Sequence, residues 1–503
     1  MDQLLTNLGI GFTVALSLQN LWYCLIGCVL GTLVGVLPGL GPVATIAMLL
    51  PITFTLPPVS ALIMLAGIYY GAQYGGSTTA ILVNMPGETS SVVTTLDGYQ
   101  MAKQGRAGPA LGIAAMGSFF AGCVATIVIA VAAPPLAEVA LKFGPAEYFS
   151  LMVLGLVAAV VLAHGSVVKA IAMVVMGLLF GIIGTDVNSG VARFNFGISE
   201  LSDGIGFVTI AMGMFGFAEI VTNLENPSHR RVEVAKVSSL LPSAAEIKMC
   251  IAPIIRSTIL GSALGIMPGG GALLASFSAY TMEKKLAKDG DTFGKGNIKG
   301  VASPEAANNA GAQTSFIPLL TLGIPSNPVM ALMIGAMMIQ GIAPGPQVMT
   351  ERPQLFWGMI ASMWVGNLML VILNLPMIGV WIRLLTVPYR ILYPAIILFC
   401  CVGIYSVQNS AFDVLLTAIF GVFGYVCVKL ECEPAPMMLG FILGPLMEEN
   451  LRRAMLLSRG DATVFFQRPI SAVMLILAIL LLVVLALPFL RKKREEVFVE
   501  GDT

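Results

Sequence analysis

Apolar residues fall in long unbroken blocks along the chain, of which Leu111–Ala133, Phe207–Val221 and Ile470–Leu490 are examples. About 18–20 apolar residues cross a bilayer core as helix, and Phe207–Val221 is a little short of that length. Further blocks at Tyr148–Ala163, Val167–Gly184, Phe356–Leu375, Ile391–Tyr405 and Phe412–Val428 have the same character. The pattern predicts an all-α polytopic membrane protein with about 12 membrane segments. Two blocks are interrupted in the same way, by "GVLPGLGP" at Gly35–Pro42 and "GIMPGGGA" at Gly265–Ala272. Each interruption predicts the tip of a re-entrant helical hairpin, with the returning arm starting at Pro42 or at about Ala272.

The interruptions belong to a longer repeat. Leu30/Leu260, Gly31/Gly261, Gly35/Gly265, Pro38/Pro268, Gly39/Gly269 and Gly41/Gly271 are matched pairs, each 230 positions apart. "GAQ" recurs at Gly71–Gln73 and Gly311–Gln313, and "NMPGE" at Asn84–Glu88 faces "GIPSN" at Gly323–Asn327. "QGRAGP" at Gln104–Pro109 then faces "QGIAPGP" at Gln340–Pro346. Motifs recurring in one order mark two related halves. The expected organisation is a first repeat over 1–222, a connecting loop over 223–249, a second repeat over 250–469, and a C-terminal membrane helix with a basic tail over 470–503.

Basic residues orient the halves, because Lys and Arg favour the cytoplasmic side. Arg230, Arg231, Lys236 and Lys248 precede the second interruption; Lys284, Lys285, Lys288, Lys295 and Lys299 follow it. Both flanks of Cys250–Met282 are therefore expected in the cytoplasm, with the tip at Pro268–Gly271. No basic residue flanks the first interruption, as expected of a hairpin entered from outside. Opposed hairpins imply an inverted repeat. Two points stay open: the first twenty residues as a surface helix or a short span, and whether Pro436–Met447 crosses.

Composition narrows the function. The chain has 503 residues, 57% hydrophobic and 11% charged, with formal net charge zero, which argues against a nucleic-acid partner and for lipid as solvent. The first Lys or Arg is Lys103, so no cleavable signal is expected. Two histidines, His164 and His229, cannot build a His-rich metal site. The eight cysteines lie mostly in apolar runs and read as packing residues. "GDTFGKG" at Gly290–Gly296 lacks the spacing and hydroxyl of a nucleotide loop, and Phe293 and Gly300 stand where a calcium loop needs carboxylates. No nucleophile–base pair suggests a hydrolase, so the chain reads as no enzyme and as needing no cofactor.

Broken helices at the junction of inverted repeats are where secondary transporters hold substrate and ions. Helix N-termini at the tips offer free N–H groups and a positive dipole end to an anion. Pro38, Gly39, Gly41, Pro268, Gly269, Gly270 and Gly271, with Ser326 and Asn327, are thus the candidate substrate residues. Ser77, Thr78, Thr79, Asn84, Gln313, Thr314 and Thr321 are hard oxygen donors for a coupling cation, Na+ in the first instance. Ser303-Pro304-Glu305 reads as a helix start, placing Asn308 and Asn309 about one turn inside. Gly31, Gly35, Gly261 and Gly265 read as close-packing positions, Glu88 and Asp97 as solvated loop acids, and Arg256 as a snorkelling side chain.

"GVLPGLGPVATIAMLLPITF", "GIMPGGGALLASFSAYTMEKKL" and "GVASPEAANNAGAQTSFIPLLTLGIPSNPVMALMIGAM" together resemble the large membrane (TctA-type) subunit of the tripartite tricarboxylate transporters. The resemblance covers nearly the whole chain. It implies a bacterial inner-membrane permease that works with a small membrane subunit and a periplasmic solute-binding protein. Such a permease takes up a carboxylate, citrate-like, on a Na+ or H+ gradient without ATP. Substrates within that family vary. The competing reading is a passive anion channel or carboxylate facilitator, which would give no concentrative uptake.

Overall fold

The computed structural model describes residues 2–37, 41–163, 166–186, 189–225, 240–267, 271–384 and 389–486. The basic tail, most of the connecting loop, and Pro38, Gly39, Pro268, Gly269 and Gly270 lie outside the described residues. The chain opens with α1 (Asp2–Ala15), α2 (Leu18–Val36), α3 (Pro42–Thr53), α4 (Pro58–Val83), α5 (Val92–Lys103) and α6 (Ala107–Ala140). It continues with α7 (Pro145–Leu162), α8 (Val167–Gly181), α9 (Phe207–Ala211) and α10 (Ala218–Glu225). Next come α11 (Ala244–Ile266), α12 (Gly271–Leu286), α13 (Lys299–Thr314), α14 (Phe316–Leu322), α15 (Pro328–Ile339), α16 (Gln347–Glu351) and α17 (Pro353–Asn374). The last are α18 (Ile378–Leu384), α19 (Tyr389–Gln408), α20 (Ala411–Lys429), α21 (Pro434–Leu457), α22 (Val464–Gln467) and α23 (Pro469–Ala486). One two-residue antiparallel ladder pairs β1 (Gly184–Thr185) with β2 (Ala192–Arg193).

The fold is therefore all-α. Among the described residues, five helices are long and apolar enough to cross a membrane: α2, α6, α11, α17 and α20. Their polarity is turned inward. α11 exposes Ile251, Ile255 and Ile259 and buries Ser257, Thr258 and Ser262. That is the arrangement lipid favours, since polar side chains in a membrane find partners inside the bundle.

Two compact units divide the chain. One holds 1–137 and 219–407, the other 138–218 and 408–503. In the first, α2 packs along α4 and α11 along α13, while α17 lies against α1, α2 and α4. In the second, α21 packs on α7 and α8, and α23 on α7. The apolar block 207–221 is broken there into α9, a π-helical turn over Met212–Phe217, and the start of α10.

The hairpin arms begin where Pro and Gly permit. α3 starts at Pro42, whose missing N–H costs nothing in a first turn, and α12 starts at Gly271 with φ +48°. The glycines of α2 recur every fourth residue against α4. A Cβ on Gly27, Gly31 or Gly35 would run into the backbone carbonyl of Met64, Ile68 or Ala72. On α11, a Cβ on Gly261 or Gly265 would meet the Ala307 or Gly311 carbonyl of α13. These glycines let two backbones touch.

Three expectations are corrected. α13 starts at Lys299, not at Ser303, so Pro304 and Glu305 lie inside the helix and Asn308 and Asn309 more than two turns in. The earlier start has a cause: the Asn297 side chain accepts from Lys299 N at 2.9 Å, and Asp97 gathers the N–H groups of Gly294, Gly296 and Asn297 at 2.7–2.9 Å. Pro304 then removes only the donor that would serve the Gly300 carbonyl. Asp97 and Glu88 are buried, not solvated, at 0% and 8% exposure. Arg256 does not snorkel; it makes a two-pronged ion pair with buried Glu283 at 2.6 and 2.8 Å. In the same loop as Asn297, the Lys299 ammonium 2.7 Å from Asp289 holds that carboxyl below the usual carboxylate range.

Gly31→Val should therefore cost about 1–3 kcal/mol of stability or more through overpacking. The check is membrane abundance and thermal midpoint, both lower than in the parent. Gly9→Ala, where an added Cβ meets nothing within 4 Å, should leave both unchanged.

Candidate functional site

The described ends of the two hairpin tips lie in different surroundings. Gly41, extended at φ −77° and ψ 169°, is the N-cap of α3, and its N–H donates to the Glu219 carboxylate at 3.1 Å. A carboxylate thus sits on a helix N-terminus, the place where partial positive charge is concentrated. Gly271 begins α12 beside Asn327, whose Cβ would lie 3.4 Å from an added Cβ. Asn327 caps α15 by accepting from Met330 N at 2.9 Å, and its amide donates to the Tyr69 hydroxyl of α4 at 3.4 Å. Ser326 is buried and donates to the Ser315 carbonyl at 3.2 Å.

The oxygen-bearing residues of α4, α13 and α14 do not gather at one point. Ser77 donates to Glu305 at 2.5 Å. Thr78 donates to the Tyr74 carbonyl, and Thr79 to the Gly76 carbonyl at 2.9 Å. Thr314 and Thr321 donate to the carbonyls four residues back in their own helices. Gln313 accepts from Thr126 at 2.7 Å. Asn84 is exposed and ends α4 in the left-handed conformation at φ +58°. Ser77 and Thr78 border a cavity of about 10 Å³ together with Tyr74, Ser118, Glu305 and Asn374.

Two acids at the heart of this unit are absent from the sequence-based site. Glu305, 1% exposed, accepts from Ser77 and from Thr94 of α5. Glu88 caps the turn Thr89–Ser91, accepting from Ser90 N at 3.1 Å, from the Ser90 hydroxyl and from the Asn308 amide at 3.4 Å. Ser90 also meets the side-chain oxygens of Gln73 at 2.9 Å and Asn308 at 2.7 Å. α12 ties the two turns together, with Gly271 at Asn327 and the Ser276 hydroxyl donating to the Ser90 carbonyl at 2.8 Å. Among the described residues no Lys or Arg pairs with Glu88 or Glu305. The usable sequence signal is an acid with no basic residue three or four positions away, inside a stretch of small and apolar residues.

Hydroxyls, amides, two buried carboxylates and a helix N-terminus facing a carboxylate form a chemistry suited to binding. Comparison with known proteins agrees with a membrane-transport role. A full-length relative from Agrobacterium vitis, described as an uncharacterized 52.8 kDa protein in the TAR-I ttuC' 3'region, is 60% identical over 502 residues, covering 100% of both chains. A second Agrobacterium vitis protein, described as an uncharacterized protein in the TAR-II ttuC' 3'region, is 60% identical over 242 residues, 48% of this chain and 100% of its own length. No solved structure matches. The family model of the tripartite tricarboxylate transporter TctA family matches residues 21–439, and the chain belongs to that family.

Proposed function

We propose that the chain is the permease subunit of a binding-protein-dependent tripartite system in a bacterial inner membrane. It takes up a tri- or dicarboxylate, citrate-like, by secondary active transport on a Na+ or H+ gradient. Its partners are a small membrane subunit and a periplasmic solute-binding protein. Family membership supports the system, and the Glu219 carboxylate on the Gly41 N–H carries the substrate class: the chain's own acid occupies an anion seat at a hairpin tip. The inverted-repeat reading gains support from paired turns. Asn84 and Gly323 both end helices at positive φ, and Glu88 and Asn327, 239 positions apart like that pair, both cap the next turn from an extended backbone. The tips act by presenting N–H groups to carboxylate, and the two repeats bring them together near the membrane midplane.

Uptake reconstituted in liposomes with all three components should be concentrative and collapse when the Na+ and H+ gradients are dissipated. ATP depletion at a clamped gradient should leave it unchanged. Downhill flux insensitive to both gradients would establish a channel or facilitator instead.

Substitution at the first tip separates binding from packing. An added Cβ at Gly41 meets nothing within 4 Å, and the backbone there is ordinary for any residue. Gly41→Val should therefore insert and melt like the parent yet lose at least about tenfold in uptake, because a branched side chain screens the N–H groups. Parent-like uptake would remove this tip from the substrate path.

Opposed hairpins are checked by labelling single cysteines in a cysteine-free background. A cysteine replacing exposed Lys288 should react with an impermeant reagent from the cytoplasm, and one replacing exposed Pro57 from outside. Labelling of both from the same face would overturn the inverted arrangement.

A further inference from the structure

We infer that the cavity between α4, α6, α13 and the end of α17 is a binding site for one sodium ion, with Glu305 as the ion's charge partner. Its role as the coupling site rests on the gradient-driven reading above, but the binding itself does not.

The argument begins with charge. Glu305 is buried with no ion-pair partner among the described residues, and an ionised carboxylate in such surroundings is costly unless a positive charge is close. The hydroxyls of Ser77 and Thr94 both donate to it, at 2.5 Å, one to each oxygen. Both hydroxyls can donate to an ionised carboxylate, and a cation in the adjoining cavity would supply the positive charge that these neutral donors do not.

The second observation comes from the cavity wall. Tyr74 and Asn374 are 4% and 5% exposed, both border the cavity, and the Tyr74 hydroxyl and the Asn374 Oδ1 have no hydrogen-bond partner among the described residues. Two unpartnered buried oxygens on the wall of one small cavity mark a place that can hold a ligand. The remaining polar neighbours also present lone pairs. The Thr78 hydrogen is spent on the Tyr74 carbonyl, the one Ser77 hydrogen has acceptors in Glu305 and the Gln73 carbonyl, and Ser118 accepts from the Asn309 amide at 2.7 Å. The wall offers oxygen from carboxylate, hydroxyl and amide, with no imidazole or thiolate, which suits a hard cation.

Size and charge choose among hard cations. A space of about 10 Å³ holds one particle of water size, so the ion enters without its hydration shell. A single carboxylate balances a single charge, whereas calcium sites assemble several acids around a larger ion and magnesium keeps several of its waters. Sodium meets both limits.

The test uses the purified full chain in detergent and measures radioactive sodium binding at constant ionic strength, with choline as the replacement cation. The parent should bind sodium saturably, about one ion per chain, and potassium should compete at least tenfold more weakly. Glu305→Gln, close in shape, should abolish binding while the protein stays monodisperse; Ser77→Ala should weaken it about tenfold. Should Glu305→Gln fail to fold, Asn374→Asp keeps the question open: a second carboxylate should let calcium compete with sodium where it does not in the parent. Absence of sodium binding by the folded parent, undiminished binding by folded Glu305→Gln, or equal competition by potassium would each overturn the site. Glu305-dependent binding in a protein whose reconstituted uptake ignores every gradient would keep the site and overturn the transport reading. Sodium-driven uptake without Glu305-dependent binding would do the reverse.

Discussion

Backbone contact between α2 and α4 sets the terms for the first compact unit. Gly27, Gly31 and Gly35 face Met64, Ile68 and Ala72, and in return Cβ atoms at Gly71 and Gly75 would strike the Cys28 and Thr32 carbonyls. With both partners stripped to backbone, α4 is buried along almost its whole length, from Ser60 to Leu82. Every polar group on that helix must then be satisfied from inside the protein. Ser77 reaches Glu305, Gln73 meets Ser90, and Thr78 and Thr79 turn to their own helix. The close crossing draws the polar side chains of α4, α5 and α13 into a single hydrogen-bonded core.

A matching contact in the second half, Gly261 and Gly265 of α11 against Ala307 and Gly311 of α13, presents α13 in the same way. The halves differ where it matters chemically. At the capping position after the broken helix one half carries Glu88 and the other Asn327. Both side chains accept a backbone N–H two or three residues on, so the turn is the same. Only one brings a charge. The two turns thus share a backbone form and differ in charge.

The starts of α3 and α12 were legible in the sequence because their determinants are local: Pro at the first helical position of α3, Gly at the start of α12, and glycine every fourth residue on α2. Helical type and the packing role of the paired glycines follow from the same short-range rules. Glu305 was hidden for the opposite reason. "SPE" has the local form of a helix start, while the groups that bind its carboxylate, Ser77 and Thr94, lie more than two hundred positions away. Asp97 was hidden likewise, since the N–H groups it collects come from Gly294, Gly296 and Asn297. Arg256 looked like a snorkelling side chain because its partner stands across the hairpin, on the other arm. Pairings across such distances follow from helix packing and leave no pattern in a window of sequence.

Charge is treated in two contrasting ways in two sets of acids. Glu283, Glu246, Glu147 and Glu448 each hold an arginine, at 2.6–2.8 Å, and such fixed pairs lock helices together. Among the described residues, Glu88 and Glu305 have only hydroxyl and amide donors, which soften a charge without neutralising it. An arginine cannot leave when conditions change, but a dissolved cation can. Under the sodium-site proposal, the stability of the surrounding helices would depend on whether the core holds its cation. By linkage, whatever binds there shifts the balance between arrangements of α4, α5 and α13 according to its differing affinity for them. On the proposed gradient-driven mechanism, coupling between an ion and an anion would need no direct contact between the two. It needs only that both bias the same packed helices, and α12, which touches the Asn327 turn at Gly271 and the Glu88 turn through Ser276, spans both.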